Sequence, residues 1–325
     1  MQNIINRTLE ILKANSEWQE RYEGYLSDIW SNPDKTDKGF VKPQGLSVYT
    51  TVGDRNTKNY YLRFKGQNVG KVKVGRNGKV TLQCLVEEST SHKIKGCPLK
   101  YKDAVDWNSD QATQFRAFFK SLSLETKTKS PEHEVENALL VEFRKRIGAE
   151  KILHNIQPVL LHGNFFQMPT PLKASTHTPT YTEHRGGGID MLARIKTTEK
   201  GYTRLCVIEI KDENKAAESQ KAAMLQAITY ATFVVKLLTE QPDWMEFFMW
   251  HKTKLNRNSR FLDKYDIEVV TIMPEGNTET FQDEILEIPG TDFKLHCHSL
   301  YYNRQKFLET HDFEFSGTFL DEIRK

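Results

Sequence analysis

The sequence predicts two domains: a smaller α+β domain over residues 1–125, and an α/β domain over residues 131–325 with a mixed sheet flanked by helices. The 325 residues are 38% hydrophobic and 27% charged, which is ordinary for soluble globular proteins. A polar stretch that ends in proline, residues 124–131, separates two segments that are each long enough to hold a core. Before this stretch apolar residues recur with period two, and after it strand patterns alternate with helical ones.

Cysteine usage and hydropathy exclude several classes of protein. The four cysteines, Cys84, Cys97, Cys206 and Cys297, form no C-x-x-C pair, so neither a zinc ribbon nor a disulfide framework is indicated. No apolar run reaches the roughly 18 residues that a membrane span needs, and the N-terminal residues lack a signal-peptide pattern. We therefore expect a cytoplasmic protein with no membrane partner.

The first domain combines helices with a run of strands. Apolar residues have helical spacing over residues 4–30, and four period-two segments follow between Leu46 and Val86. A phenylalanine stripe then predicts a helix from Asp110 to about Leu122, with Asn108 or Ser109 as its cap.

Charge is unevenly divided between the two domains. Residues 1–125 carry a net charge of +6, and residues 126–325 carry −3. Such an asymmetry is typical of a surface for a polyanion, although a modest excess of this kind is also found in ordinary solvated surfaces. The first domain is therefore our candidate for contacting nucleic acid, a protein partner or a second copy of the chain.

Four cations form the candidate nucleic-acid-binding face of this domain. Lys71 and Lys73 share one face of a predicted strand, and Arg63 and Lys65 alternate in the same way on the preceding strand. Tyr61 lies beside them, so the face could hold phosphates and stack bases. The pattern favours the alternative, which is the solvated outer face of a half-buried sheet.

The second domain begins with a predicted helix over residues 132–147, and residues 153–183 are rich in loops. Further along, the patterns predict four elements: a strand over 186–195, a buried strand over 204–212, a helix over 216–239 and a strand over 266–274. The last strand is expected to run parallel to the second through the helix between them.

Three charged residues in these strands carry the chemistry. Glu209 and Lys211 are two apart, so they project from the same face of a buried strand, where charge is costly unless it is paired or binds an ion. Asp190 precedes them by one strand. If that strand is the antiparallel neighbour, both carboxylates and the Ile210 carbonyl can bind Mg²⁺ or Mn²⁺, which prefer oxygen ligands.

Lys211 would then lie beside the ion, where its ammonium can orient the attacking water and stabilise charge on phosphate. The alternative interpretation is that Asp190, Glu209 and Lys211 have only a structural role, since a D…E-x-K string is common in sequences this charged. Gln226 and Tyr230 are four apart on the following helix, so they share a face and can reach the same site. Their alternative is an ordinary amphipathic helix.

Two glutamates on the helix over 132–147 are further candidates. Glu132 and Glu136 project toward its apolar side, so each is either a site ligand or a surface residue with a buried stem.

Gly186, Gly187 and Gly188 are followed by no G-K-[ST], which excludes a P-loop and favours close backbone approach at the mouth of the site.

Together these residues resemble the PD-(D/E)XK nuclease superfamily, in its RecB-like branch with a Q-x-x-x-Y helix. The matching motifs are Asp190, Glu209-Ile210-Lys211, and Gln226 with Tyr230, over about residues 131–275. The sequence departs from the namesake motif at Ile189, where proline is usual. The first domain resembles no family.

The resemblance implies a restriction-endonuclease-like fold and metal-dependent hydrolysis of phosphodiester bonds, with DNA favoured over RNA. Asp190 and Glu209 would hold the ion, Lys211 would be the catalytic lysine, and Gln226 and Tyr230 would support them. Glu136 or Glu132 would be the helical carboxylate. A nuclease joined to another domain suggests bacterial defence, repair or mobile-element biology. The alternative is a non-catalytic nucleic-acid-binding or sensor protein that retains the nuclease fold.

One weaker pattern lies near the C-terminus. His296 and His298 flank Cys297 with the alternation of a strand, which could bind a soft metal. Without further ligands in the sequence pattern, a partly buried strand is the favoured interpretation.

Overall fold

The computed structural model describes most of the chain. The described residues are 1–31, 43–50, 52, 58–75, 78–87, 94–122, 131–145, 153, 155–161, 163–174, 178–184, 186–196, 203–212, 219–249, 266–276 and 281–320. The expected linker at 124–131 falls outside them, except for Pro131.

The protein is of the mixed α/β class that the sequence patterns predict, with runs of consecutive strands interspersed with helices. The helices are α1 (Gln2–Ala14), α2 (Glu17–Ser31), α3 (Asp110–Ser121), α4 (Pro131–Arg144), α5 (Gln220–Glu240), α6 (Asp243–Phe248) and α7 (Arg304–Thr310). The strands are β1 (Ser47–Thr50), β2 (Lys58–Phe64), β3 (Gln67–Val74), β4 (Val80–Cys84), β5 (Ala104–Asp106), β6 (Ile156–Pro158), β7 (Leu160–Leu161), β8 (Asn164–Phe166), β9 (Leu172–Lys173), β10 (Thr180–Tyr181), β11 (Met191–Lys196), β12 (Thr203–Ile210), β13 (Asp266–Pro274), β14 (Glu284–Glu287), β15 (Lys294–Tyr302) and β16 (Phe315–Ser316).

The chain divides into two compact units whose boundaries differ from the expected ones. The larger unit comprises Met1–Glu23, Leu140–Val159 and Met168–Lys325, and the smaller unit comprises Gly24–Leu139 and Leu160–Gln167. The first helix joins the larger unit because it packs against α5. A linear split at the polar stretch could not show this, since the packing joins residues more than 200 positions apart in the sequence.

The smaller unit is built on a seven-stranded sheet with the order β5-β4-β3-β2-β1-β8-β7. Alternating residues of β3 and β4 are buried, so one face of the sheet forms a core. Helix α3 contributes Phe115 and Phe119 to that core. The Ser109 side chain accepts a hydrogen bond from the Ala112 amide, which confirms Ser109 as the N-terminal cap.

The turn between β2 and β3 corrects one expectation. Lys65 was expected on a strand in alternation with Arg63, but β2 ends at Phe64 and Lys65 begins a two-residue turn. Both Lys65 (φ 46°) and Gly66 (φ 80°) have positive φ, as the tightest hairpin turns require. A lysine gives little sequence signal for such a turn, because positive φ is uncommon outside glycine, asparagine and aspartate.

The larger unit is built on a mixed sheet with the order β14-β15-β13-β12-β11-β6, and β16 pairs with β15. The expected parallel pairing of β12 with β13 and the antiparallel pairing of β11 with β12 are both confirmed. The sheet also extends to β15, which pairs in parallel with β13 along its whole length.

Helix α5 covers one face of this sheet. This 21-residue helix is long and apolar enough to cross a membrane by length and composition, but 72% of its most apolar stretch is buried within the protein. This burial is typical of the core helix of a soluble globular protein. The helix begins at Gln220, later than expected, because Ser219 caps it by accepting a hydrogen bond from the Ala222 amide.

Two glycines with positive φ, Gly66 in the β2–β3 turn and Gly78, provide a test of how closely that turn packs against α4. A Cβ atom at Gly66 would lie 1.8 Å from the His133 carbonyl oxygen, whereas one at Gly78, which also has positive φ, would meet nothing within 4 Å. We expect Gly78→Ala to cost about 1 kcal/mol of unfolding free energy from backbone strain alone. Gly66→Ala should cost roughly 1–3 kcal/mol more, because the backbone of α4 must shift. Urea denaturation of both variants checks this, and equal losses would contradict it.

Candidate active site

The candidate site lies where β11 begins and β12 ends. Asp190 immediately precedes β11, and Met191 pairs with Ile208, so the antiparallel register brings Asp190 opposite Glu209. The Asp190 Oδ2 atom accepts a hydrogen bond of 2.9 Å from the Ile210 amide. The carboxylate therefore continues the ladder beyond the end of β11 and is fixed beside the backbone of Ile210.

Glu209 and Lys211 project from the same face of the sheet, as their spacing predicts. Glu209 is 1% exposed and Lys211 is 9% exposed. The Lys211 Nζ atom lies 2.9 Å from Glu209 Oε1, which makes a buried, charge-assisted hydrogen bond. Both charges are thus held at the end of a strand that is apolar from Leu205 to Ile208.

Helix α5 brings Gln226 and Tyr230 to this group. Burial raises the pKa of the Tyr230 hydroxyl above its ordinary value, and the negative charges of Glu209 and Asp190 raise it further. Hydrogen bonding to Gln226 and the positive charge of Lys211 oppose this shift but do not reverse it. The hydroxyl therefore remains protonated at neutral pH and lies within electrostatic range of both carboxylates and the lysine.

Glycines allow the chain to pass close to this group. A Cβ atom at Gly187 would lie 2.0 Å from the Tyr230 hydroxyl oxygen, and one at Gly186 would lie 2.4 Å from the Leu172 carbonyl oxygen. The expected close backbone approach is thus confirmed for these two residues. The Gly187 amide donates to the Leu172 carbonyl at 2.6 Å, which ties the glycine segment to the chain beside it.

The structure therefore brings together five of the expected side chains within one unit, next to the backbone of Ile210. They are Asp190, Glu209, Lys211, Gln226 and Tyr230. Thr271 was not singled out from the sequence, yet it pairs with Glu209 in the register between β12 and β13. A threonine inside a buried strand carries no distinctive signal, since its β-branched side chain is common there.

The two helical glutamates lie in the smaller unit. Glu136 is 2% exposed, and its Oε1 atom lies 3.2 Å from Arg63 Nη1. Arg63 is thus a structural partner for this buried carboxylate. Glu132, on the same helix, is half-buried. The metal-binding role expected for Glu136 or Glu132 stays a prediction.

Two of the four expected nucleic-acid-binding cations have carboxylate partners within the smaller unit. Arg63 contacts Glu136 and lies 3.8 Å from the centre of the Tyr49 ring, and Lys65 lies 2.7 Å from Glu134. Arg63 is mostly buried, and the register between β2 and β3 shifts between Leu62 and Arg63. Each of these cations therefore has a structural partner, and the phosphate-binding role expected for Arg63 and Lys65 stays a prediction.

The other two cations keep the expected geometry. Lys71 and Lys73 project from the outer face of β3, while Val72 and Val74 are buried on the other face. The Lys71 Nζ atom lies 5.7 Å from the centre of the Tyr61 ring. Lys73 is exposed and Lys71 is half-buried beside an aromatic ring, so the binding of a polyanion by this pair stays a prediction.

A second polar group lies in the larger unit, on the opposite face of the sheet. Glu268, His296 and His298 each offer one ligand atom, and these atoms lie within 4.8 Å of one another, so this Glu-His-His group could bind a metal ion. The H-C-H pattern pointed to the two histidines. Glu268 could not be found from it, because only the pairing of β13 with β15 brings Glu268 beside His296.

The group is electrostatically coupled. Burial alone would raise the pKa of Glu268, but hydrogen bonding and charge from His298 and Arg204 outweigh burial and lower it. Burial alone would lower the pKa of His298, but Glu268 and Asp283 outweigh it and raise the pKa above its ordinary value.

Comparisons of this chain with protein-family models, with curated proteins and with solved structures find no match.

The Arg63–Glu136 pair gives a test of the structural role of Glu136. Glu136 is buried and Arg63 is mostly buried, so Arg63→Ala should cost about 3–5 kcal/mol of unfolding free energy by leaving the Glu136 charge without this partner. The double variant Arg63→Met/Glu136→Leu should cost much less, because it removes both charges and keeps the volume. Urea denaturation measures both, and an equal loss in the single and double variants would contradict a structural pair.

The close approach at Gly187 predicts coupling to Tyr230. Gly187→Ala forces the Tyr230 ring to move, since the new Cβ atom would overlap its hydroxyl oxygen. The loss of unfolding free energy caused by Gly187→Ala should therefore be smaller in a Tyr230→Phe background, with a coupling of about 0.5–3 kcal/mol. A double-mutant cycle measured by urea denaturation checks this. Additive losses would show that the two residues do not contact each other.

Proposed function

We propose that the larger unit is a metal-dependent nuclease with a restriction-endonuclease-like core. The observation that carries this proposal is the convergence of two carboxylates, a lysine, a glutamine and a tyrosine at the end of one buried strand. These residues come from two strands and a helix, and each type has a use in phosphodiester hydrolysis. The motif resemblance to PD-(D/E)XK nucleases supports the same chemistry.

The donor set fits a hard divalent cation. Asp190 and Glu209 supply carboxylate oxygens from neighbouring strands, and the Ile210 carbonyl is a further oxygen at the end of β12. Oxygen ligands of this kind are those that Mg²⁺ and Mn²⁺ prefer. When bound, such an ion polarises the phosphate and lowers the pKa of water.

Lys211 supplies a fixed positive charge at the same place. Its ammonium contacts Glu209 at 2.9 Å, so it is held beside the carboxylates and is largely shielded from solvent. In that position it can donate to a nonbridging phosphate oxygen and stabilise the negative charge that develops during attack. Charges aligned before the reaction need little reorganisation, which is why such groups contribute strongly to rate.

Tyr230 and Gln226 act as neutral hydrogen-bonding groups. Because the Tyr230 pKa is raised, its hydroxyl donates a hydrogen bond and adds no charge to the site. Gln226 bonds to that hydroxyl and so fixes its direction. In our proposal the pair orients a carboxylate or a substrate phosphate, while α5 excludes water from one side of the site.

We further propose that the polymer is DNA, because most nucleases that these motifs resemble act on it. The smaller unit offers Lys71 and Lys73 beside Tyr61, which is a suitable surface for phosphates and an exposed base. Arg63 and Lys65 are left out of this surface, since each has a carboxylate partner.

The test is cleavage of single-stranded DNA, duplex DNA and RNA by the purified full chain with Mg²⁺ or Mn²⁺. We expect metal-dependent cleavage that excess chelator abolishes. Lys211→Ala should lower the rate by about 100-fold or more, as loss of a charge-stabilising donor does. Glu209→Gln keeps the size of the side chain and should also abolish cleavage. The matched control is Lys236→Ala, which removes a lysine that pairs with Glu240 along α5.

Equal cleavage by the wild type, Lys211→Ala and Glu209→Gln would overturn this site. Calorimetry with Mg²⁺ distinguishes a nuclease from a non-catalytic protein that binds the ion. A wild type that binds Mg²⁺ through Asp190 and Glu209 but cleaves none of the polymers would instead be a non-catalytic binding protein with the same fold.

A further inference from the structure

The Glu-His-His group has the geometry of a metal site. Glu268 and His298 are buried, and Glu268 Oε2 lies 3.1 Å from His298 Nε2. The Glu268 Oε2 and His296 Nε2 atoms are both shielded from solvent, and each faces a neighbouring side chain: His298 lies beside Glu268, and His296 Nε2 lies 3.3 Å from Asp266 Oδ2. The ligand atoms of Glu268, His296 and His298 all lie within 4.8 Å of one another, which is close enough for one ion to bind them together.

Neighbouring side chains orient the ligands. The His298 Nδ1 atom lies 3.0 Å from Asp283 Oδ2, which in turn accepts a hydrogen bond of 2.7 Å from Thr318 Oγ1. With Nδ1 engaged in this way, Nε2 is directed toward Glu268. A carboxylate behind a histidine is the arrangement that fixes and strengthens histidine ligands in metal sites.

Charge around the group favours a dication. Arg204 Nη1 lies 2.6 Å from Glu268 Oε1, and Arg204 Nη2 lies 3.2 Å from Asp266 Oδ2. With neutral histidines, the three carboxylates of Asp266, Glu268 and Asp283 exceed the single arginine by two negative charges. Asp283 is exposed, but Glu268 and His298 are largely shielded from solvent, and a divalent cation beside them would balance this excess.

We propose that Glu268, His296 and His298 bind one Zn²⁺ ion, on the sheet face opposite the candidate active site. Two imidazoles and one carboxylate form a ligand set used for zinc, whereas Mg²⁺ prefers oxygen alone. Arg204 occupies Glu268 Oε1 and leaves Oε2 for the ion. Because it uses other residues, this site is independent of the proposed nuclease activity.

The ion would stabilise the larger unit. Glu268 lies on β13 and the two histidines on β15, so the ion would link neighbouring parallel strands. Asp283 and Thr318 extend the link to the segments before β14 and after β16. Zinc binding to the folded chain alone must raise its melting temperature.

The test uses the full chain, stripped with chelator and then titrated with Zn²⁺ or with Co²⁺ as a spectroscopic probe. We expect about one Zn²⁺ per chain, tetrahedral Co²⁺ absorption, and a melting temperature that rises with Zn²⁺. His298→Ala and the isosteric Glu268→Gln should lose this binding, and Asp283→Asn should weaken it about 10–100-fold. His184→Ala, which removes an exposed histidine, should bind like the wild type.

Two further results distinguish this site from the proposed active site. The double variant Asp190→Asn/Glu209→Gln should keep its Zn²⁺ and its Co²⁺ spectrum, whether or not the wild type cleaves nucleic acid. Zinc binding that survives in both His298→Ala and Glu268→Gln would overturn the proposal. A wild type that binds no Zn²⁺ at micromolar concentration would overturn it as well, and would leave the group as a network of ion pairs.

Discussion

The parallel pairing of β12 with β13 is the constraint on which the rest of the larger unit depends. With β11 on its other side, β12 has a neighbour at each edge, and α5 covers one of its faces. Every side chain of this strand therefore enters a packed layer. Glu209 and Lys211 could be accommodated there only by pairing with each other or by binding a ligand, and the register decides which residues are within their reach.

Buried charge is a poor source of stability, which favours a functional reason for its presence. Removing a carboxylate and an ammonium from water costs several kcal/mol per ion, and their mutual attraction offsets this only when the geometry is good. An apolar pair would often serve the fold of β12 equally well. The contact between Lys211 and Glu209 therefore supports the proposal of an active site more strongly than it explains the fold.

Local patterns predicted much of the fold. Several side-chain contacts between elements that are distant in the sequence could not be predicted from them. Alternating apolar residues and a continuous apolar run predicted β12 and β13, and helical spacing of apolar residues predicted α3 and α5. The i, i+2 and i, i+4 rules correctly grouped Glu209 with Lys211 and Gln226 with Tyr230. The contacts of Glu136 with Arg63 and of Glu268 with His296 join elements that are far apart in the sequence, and only three-dimensional packing reveals them. Lys65 was misplaced because its turn depends on positive φ at a lysine.

The two polar groups lie on opposite faces of the sheet because successive side chains of β13 alternate between its faces. Glu268 and Thr271 are three residues apart on β13, so they project to opposite faces, and Thr271 is on the face of Glu209. One face thus presents oxygen ligands, and the other presents imidazoles with one carboxylate. Zinc binds most ligands more tightly than Mg²⁺ or Mn²⁺ does, and imidazole suits it better than carboxylate alone. Under both proposals, the histidine face would take scarce zinc and leave the carboxylates to abundant Mg²⁺.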